Sequence, residues 1–395
     1  MAKPRVYSAT IDEIIGGEAT DIYFARTAEI LERAGLADVK VRMELHVYSM
    51  PKGYEWAVYA GLEEALAILE GKDVDVYSIP EGTIFKRKQP LMIIEGRYRD
   101  FAELETAILG ALRFSTSIAT KAARIKKLAG DKTVLYFGLR ALHPSVQPAA
   151  DRAAYIGGVD GVSGVLAKKY IGVEPRGTMP HALIIVFGDQ REAWTWFYKL
   201  YGDRIPVIAL TDTFFDERIE ALMAAETLGD KLYGVRLDTP SSRRGKMRDI
   251  VEEVRWALDI NGYKNVKIFV SGGIDEEEIE QLKDLVDGFG VGTSISAAPN
   301  IDISMDIVEV ERDGEWVRVA KRGKLPGAKK LYRCSLNEDY IVLFGEEPPL
   351  CGNGLKPREL TVKYMEGGRL IRDLPSVNDI REYVLDQLAN VHLLE

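Results

Sequence analysis

The sequence predicts an α/β fold whose parallel sheet closes into a barrel, and three observations carry that prediction. Three apolar segments in close succession each break into a small-residue turn: Gly234-Val-Arg-Leu-Asp-Thr-Pro-Ser241, Ile268-Phe-Val-Ser-Gly-Gly-Ile-Asp275 and Gly288-Phe-Gly-Val-Gly-Thr-Ser294. Between them, residues 247–258 and 276–285 carry apolar side chains three and four apart, the period of a one-sided helix. Strand and helix therefore alternate quickly, which calls for parallel strands joined by crossover helices.

Taken in order, residues 21–34 read as a helix and 39–48 alternate apolar and polar positions as a strand does. Residues 79–94 read as two strands around a turn, punctuated by Pro80-Glu-Gly-Thr and Lys88-Gln-Pro. Residues 101–128 are helical and rich in Ala and Leu, a bridge from a first domain to the barrel. Barrel strands are expected at 134–137, 158–159, 177–178, 207–210, 234–237, 268–270 and 288–290. Beyond Ala297 the pattern returns to strands at 301–311 and 316–320, then a basic loop over 321–330, two further strand pairs and a last helix at 377–388. The domains so drawn are 1–110 with a returning segment 297–330, the barrel over 111–296, and a C-terminal extension over 331–395.

At 395 residues the chain suits two or three domains, and 46% hydrophobic content is ample for their cores. A formal charge of -9 argues against a general nucleic-acid binder. No apolar run reaches membrane-spanning length and no signal-peptide layout opens the chain, so a cytoplasmic location is expected. Two cysteines, Cys334 and Cys351, do not make a disulfide scaffold. Scarce Asn and Gln beside plentiful Glu, Lys and Arg hint at a thermophile.

In such barrels the turns after the strands build the site. They offer Arg236 and Asp238, the Gly272-Gly273 pair, and Gly292-Thr293. Glycines admit an anion close to backbone N–H groups, and a following helix adds partial positive charge. A phosphorylated, hydroxylated ligand such as a phosphosugar fits; tight βα turns alone would also need glycine. Phe137-Gly-Leu-Arg140 brings an aromatic face and a guanidinium to the end of the first barrel strand, although Phe137 alone would equally suit the core. Gly177-Thr-Met-Pro-His181 delivers the Thr178 hydroxyl and the His181 imidazole. Of four histidines, His181 is the functional candidate, and His46, His143 and His392 read as surface or packing.

These motifs together resemble the nicotinate phosphoribosyltransferases and their nicotinamide and quinolinate relatives. The resemblance begins at Thr20-Asp-Ile-Tyr23 and Pro90-Leu-Met-Ile-Ile-Glu-Gly96 and continues through Ala119-Thr-Lys-Ala-Ala-Arg124. It then takes in Phe137-Gly-Leu-Arg140, Arg152-Ala-Ala-Tyr-Ile-Gly-Gly-Val-Asp160 and Gly177-Thr-Met-Pro-His181. It ends with Leu210-Thr-Asp212, Val235-Arg-Leu-Asp238, Ser271-Gly-Gly-Ile-Asp275, Gly290-Val-Gly-Thr293 and Pro326-Gly-Ala-Lys329. It implies an irregular, open barrel with an α/β sandwich built from N- and C-terminal segments, as in type II phosphoribosyltransferases. It implies a pyridine ring held between Phe137 and Tyr23, the tyrosine coming from a partner subunit of a homodimer. By the same resemblance Arg140, Asp160, Thr178 and Arg236 bind substrate, and Asp238 and Asp212 serve the ribose or a magnesium ion. Gly272, Gly273, Gly292 and Thr293 cradle the 5-phosphate, and His181 takes a phosphoryl group from ATP. Lys324 and Lys329 become phosphate contacts, against the plainer reading of a solvated loop.

Two departures stand out: Gly273 stands where an acidic residue is common, and Arg140-Ala141 replaces an arginine pair; the glycine turn leans partly towards the quinolinate branch. Chain length and His181 lean the other way. The resemblance implies an enzyme that joins nicotinate to 5-phosphoribosyl-1-diphosphate with ATP hydrolysis. Quinolinate phosphoribosyl transfer with decarboxylation and a non-catalytic nucleotide-binding protein are the competing readings. Some archaeal members carry a zinc knuckle in the C-terminal region. Cys334 and Cys351 would supply two of its four ligands; two reduced, unpaired cysteines are the expected state.

Overall fold

The computed structural model describes residues 4–391, so His392 lies outside the described residues. The chain forms two compact units, residues 1–120 with 299–395 and residues 121–298. The helix Glu105–Ala129 carries the chain from one into the other. The segment 331–395, expected as a separate extension, is part of the first unit.

The first unit is built on a seven-stranded antiparallel sheet. Its order is Glu315–Arg318, Ile303–Arg312, Lys40–Val47, Pro90–Arg97, Val74–Ser78, Val362–Glu366 and Arg369–Leu370. N- and C-terminal segments thus share one sheet, as a sandwich of both ends requires. Met43, Leu45, Val76, Met92 and Ile94 meet the apolar faces of Leu62–Leu69 and of the long helix through Leu66, Ile108 and Leu112. The strands expected within 79–94 are Ile84–Phe85 and Pro90–Arg97, but they do not pair with each other. Ile84–Phe85 pairs with Ala57–Val58, and Pro90–Arg97 enters the main sheet.

The second unit is the barrel. Its strands are β1 (Thr133–Tyr136), β2 (Gly161–Val162), β3 (Ile208–Leu210), β4 (Gly234–Leu237), β5 (Lys267–Val270) and β6 (Gly288–Val291). All are parallel in the order β2-β1-β6-β5-β4-β3, so β2 and β3 end the sheet and the barrel is open. Strands this short and this buried are apolar on both faces because crossover helices cover them. Met247–Ile260 shows why: Met247, Val251, Val254 and Leu258 are buried on one face. Glu276–Leu282 starts on Asp275, whose carboxylate accepts the Glu277 and Glu278 N–H groups. Residues 177–178 form no strand but an extended lead into the helix His181–Phe187, and the second barrel strand lies at 161–162 rather than 158–159.

The cysteine expectation is overturned. Cys334 and Cys351 are joined by a disulfide with Cα atoms 5.7 Å apart, normal bridging distance. Both sulfurs are therefore consumed, neither thiol is free, and no thiolate remains for zinc. Among the described residues, no group of three or more His, Cys, Asp and Glu side chains is placed to hold a metal.

Candidate active site

A cavity of about 840 Å³ opens at the C-terminal ends of the barrel strands, and every residue lining it belongs to the second unit. Phe137 leaves the end of β1, its N–H donating to the Val291 carbonyl at 2.8 Å. The ring lies so close over β6 that a Cβ on Gly290 would stand 2.6 Å from it. Glycine at 290 is thus what leaves room for the ring, which lines the cavity. Behind it, Tyr136 and Ser296 share a 2.7 Å hydrogen bond, and the Ser296 hydroxyl donates to the Gly138 carbonyl at 2.7 Å. This relay fixes the turn that presents Arg140, which is exposed at the cavity wall.

The opposite wall carries the charges. Arg236, inside β4, donates to the Met179 carbonyl at 3.1 Å and has its Cζ 5.9 Å from the Phe137 ring centre. Asp238 follows β4. The Asp212 carboxylate, buried after β3, accepts the Asp238 N–H at 2.6 Å and the Thr239 hydroxyl at 2.8 Å through one oxygen. Its other oxygen is buried with no hydrogen-bond partner, as are the Thr178 hydroxyl and the Arg236 Nε. Of these residues Thr178 and Arg236 line the cavity, and an orphaned polar atom there marks where a polar ligand completes the bonding.

His181 opens its helix with Nε2 3.4 Å from Asp238 and 3.7 Å from Asp212, while Nδ1 lies 3.1 Å from the Thr213 hydroxyl. The Asp238 hydrogen bond, against the cost of burial, raises the imidazole above its ordinary pKa. Burial pushes the Asp212 carboxyl up. Burial alone would also raise Asp238, but the His181 hydrogen bond, the Arg236 charge and a very short hydrogen bond from Ser271 together hold it below the usual range. Burial lowers the Arg236 guanidinium, which the two carboxylates oppose.

Gly272 and Gly273 both have φ of 82°, the left-handed region. A Cβ on Gly272 would stand 2.6 Å from the Asp238 carbonyl, so only glycine lets the turn close on Asp238. Gly273 faces open space, and with Gly292 and Thr293 it lines the far end of the cavity.

Some expected residues lie elsewhere. Asp160 is not at the mouth: its carboxylate accepts the Val134 N–H at 2.9 Å and a salt bridge from Lys126 at 2.8 Å. That is the N-terminal end of β1, opposite Phe137. Ser163, two residues beyond Gly161, lines the cavity instead. Lys329 belongs to the first unit, buried and bonded to Glu44 at 3.1 Å and to the Leu325 and Gly327 carbonyls. Lys324 of the same unit meets Asp306 at 2.9 Å over the Tyr48 ring. Each lysine already has a carboxylate partner in its own unit, which counts against a free phosphate contact. His46 is packed between Glu44 and Asp306, and His143 is exposed. Tyr23 is 57% exposed on Ile22–Arg33 while its neighbour Phe24 is buried, so the tyrosine is not a core residue of its own helix. Sequence reasoning assigned no role to Ser163 or Ser271; the second stood inside a quoted motif, and its hydroxyl before two glycines was the available signal.

Phe137, the Arg140 and Arg236 guanidinium groups, the Asp238 carboxylate and two glycine turns thus meet at one barrel mouth. Two family models match in chain order: quinolinate phosphoribosyl transferase, N-terminal domain, over residues 21–116, and its C-terminal domain over 118–306. A nicotinate phosphoribosyltransferase of Bacillus subtilis is 29% identical over 94% of this chain and 88% of its own. One from Mycobacterium tuberculosis is 31% identical over 76% of this chain and 68% of its own. The solved structure of a nicotinate-nucleotide pyrophosphorylase from Pyrococcus furiosus is 48% identical, covers 99% of this chain and 100% of its own, and superposes with a TM-score of 0.95. The chain belongs to the nicotinate phosphoribosyltransferase family.

Proposed function

We propose that this protein joins nicotinate to 5-phosphoribosyl-1-diphosphate, releasing nicotinate mononucleotide and diphosphate, with ATP hydrolysis coupled through His181. The observation that carries the reading is His181, 3.4 Å from Asp238, a carboxylate that lines the cavity together with Phe137. A pure binder has no use for an imidazole set against the carboxylate that faces the sugar. The names of the relatives support the nicotinate reaction.

In the forward direction the pyridine nitrogen forms a bond to C1 of the ribose as the C1–oxygen bond to diphosphate breaks. Positive charge develops on the sugar and negative charge on the leaving group, so preorganised opposite charges lower the barrier. Asp238, held ionised, serves the ribosyl cation. Arg236 and Arg140 serve the phosphates and the pyridine carboxylate, and Phe137 aligns the ring. Arg140 and Arg236 are the only cations among the described lining residues. Quinolinate, with two carboxylates as well as the phosphates to neutralise, would need more. A magnesium ion, which neutralises diphosphate charge, fits here: the orphaned Asp212 oxygen is the protein ligand it would take, with substrate oxygens and water as the rest.

The exposed ring of Tyr23, with Phe137 lining an open cavity, supports a homodimer in which one subunit's tyrosine closes the other's site. No described helix is long and apolar enough to cross a membrane, in keeping with the cytoplasmic location we propose. The test is stoichiometric. ADP formed per nicotinate mononucleotide should approach one in the native enzyme and fall to zero in His181→Ala, which keeps its fold. ATP hydrolysis that continues in step with product in His181→Ala would refute the coupling.

A further inference from the structure

Glu220 lies in the first turn of Glu217–Leu228, a place where an acidic side chain ordinarily faces water and the helix dipole. Instead it is completely buried. A carboxylate is tolerated there only when hydrogen bonds replace its water, and three backbone groups do so: the N–H of Thr213 at 2.9 Å, of Phe214 at 2.7 Å and of Phe215 at 3.0 Å. Apolar burial does not hold this turn, because the Phe214 and Phe215 side chains are 46% and 56% exposed. The carboxylate is what folds residues 213–215 inward. The same turn puts the Thr213 hydroxyl 3.1 Å from Nδ1 of His181, a side chain otherwise constrained only through Nε2.

We propose that Glu220 and Thr213 are positioning residues for His181: the carboxylate pins the turn, and the pinned hydroxyl fixes the imidazole's orientation and proton. In the neutral ring, with Nε2–H donated to Asp238, Nδ1 carries the lone pair and accepts the Thr213 hydroxyl proton. Without that hydroxyl the ring can rotate and exchange tautomers, and it is presented to an incoming phosphoryl group in mixed states. The importance of this for turnover rests on the phosphoryl-accepting role of His181 proposed above; the tautomer itself does not.

The test compares Thr213→Val, Thr213→Ser, Glu220→Gln and His181→Ala with the native full-length enzyme. In the ligand-free protein with ¹⁵N-labelled histidine, at a pH above the His181 midpoint where the ring is neutral, the native signal should report a proton on Nε2. Thr213→Val and Glu220→Gln should show a tautomer mixture, and Thr213→Ser should restore the native signal. In turnover, the stimulation of nucleotide formation by ATP should fall about tenfold in the first two and recover in the serine variant, as loss of one hydrogen bond implies. A native tautomer and native ATP stimulation in Thr213→Val would overturn the proposal, and that variant decides alone if Glu220→Gln does not fold. If His181→Ala keeps full ATP stimulation, the phosphoryl role fails instead, and the spectrum still judges the positioning.

Discussion

Asp238 is where the site's interactions converge. Its backbone N–H binds Asp212, and its carboxylate meets His181 and Ser271 and faces Arg236 at 4.0 Å. Asp238→Asn keeps the shape but removes the charge that strengthens in the transition state. kcat should fall on the order of a hundredfold with little change in KM for the sugar diphosphate; the reverse pattern would remove Asp238 from the chemistry. The same substitution changes His181. Its pKa lies above the ordinary value because Asp238 favours the charged ring, so the imidazole becomes neutral only as pH rises past that raised value. Asp238→Asn should move the His181 midpoint to lower pH in an NMR titration, widening the window in which the neutral ring is available. An unmoved midpoint would mean that Asp238 does not set it. Arg236, Asp238 and the glycine turns were legible because apolar strand runs announce their own C-terminal ends. Asp160 was not, because a glycine-rich stretch does not reveal which end of a strand it faces. Glu220 escaped because an acid in a helix's first turn reads as a solvated one, and its burial depends on a turn folding back over it.

At the scale of elements, the long periodic helices and the 234–296 strands follow from pattern alone. The final helix, Val377–Leu388, falls where its periodicity placed it. Two-residue strands such as Ala57–Val58 and Ile84–Phe85 carry too little pattern to read, and their pairing is set by tertiary contacts. The disulfide was hidden for a related reason. Cys334 sits in the strand Lys329–Ser335 and Cys351 in a turn 17 residues on, and only the hairpin between them brings the two together. Disulfides are rare in reducing cytoplasm but frequent in hyperthermophile proteins. Replacing both cysteines by serine should lower unfolding free energy by about 3 kcal/mol, the loop-closure value for a loop of this size. Calorimetry showing no loss would mean the bond does not constrain the unfolded chain.

At the scale of the whole molecule, the resemblance anticipated that both ends of the chain would share one sheet, but the sequence drew 331–395 as a separate piece. The missing information was the pairing of Val362–Glu366 with Val74–Ser78, a contact across most of the chain. Assembly is testable at this scale. Tyr23→Ala subunits mixed with Asp238→Asn subunits should regain one intact site per mixed dimer, and activity should return towards half of native in that species. No recovery after verified subunit exchange would confine Tyr23 to its own subunit or remove it from the site.

The most direct test of the central claim is one competition. The enzyme receives 5-phosphoribosyl-1-diphosphate, magnesium and ATP with equal nicotinate, nicotinamide and quinolinate, and the nucleotide formed and any carbon dioxide are measured. A site with one guanidinium for the pyridine carboxylate predicts nicotinate mononucleotide made from nicotinate alone, without carbon dioxide. Carbon dioxide released in step with nucleotide, as quinolinate is consumed, would contradict it.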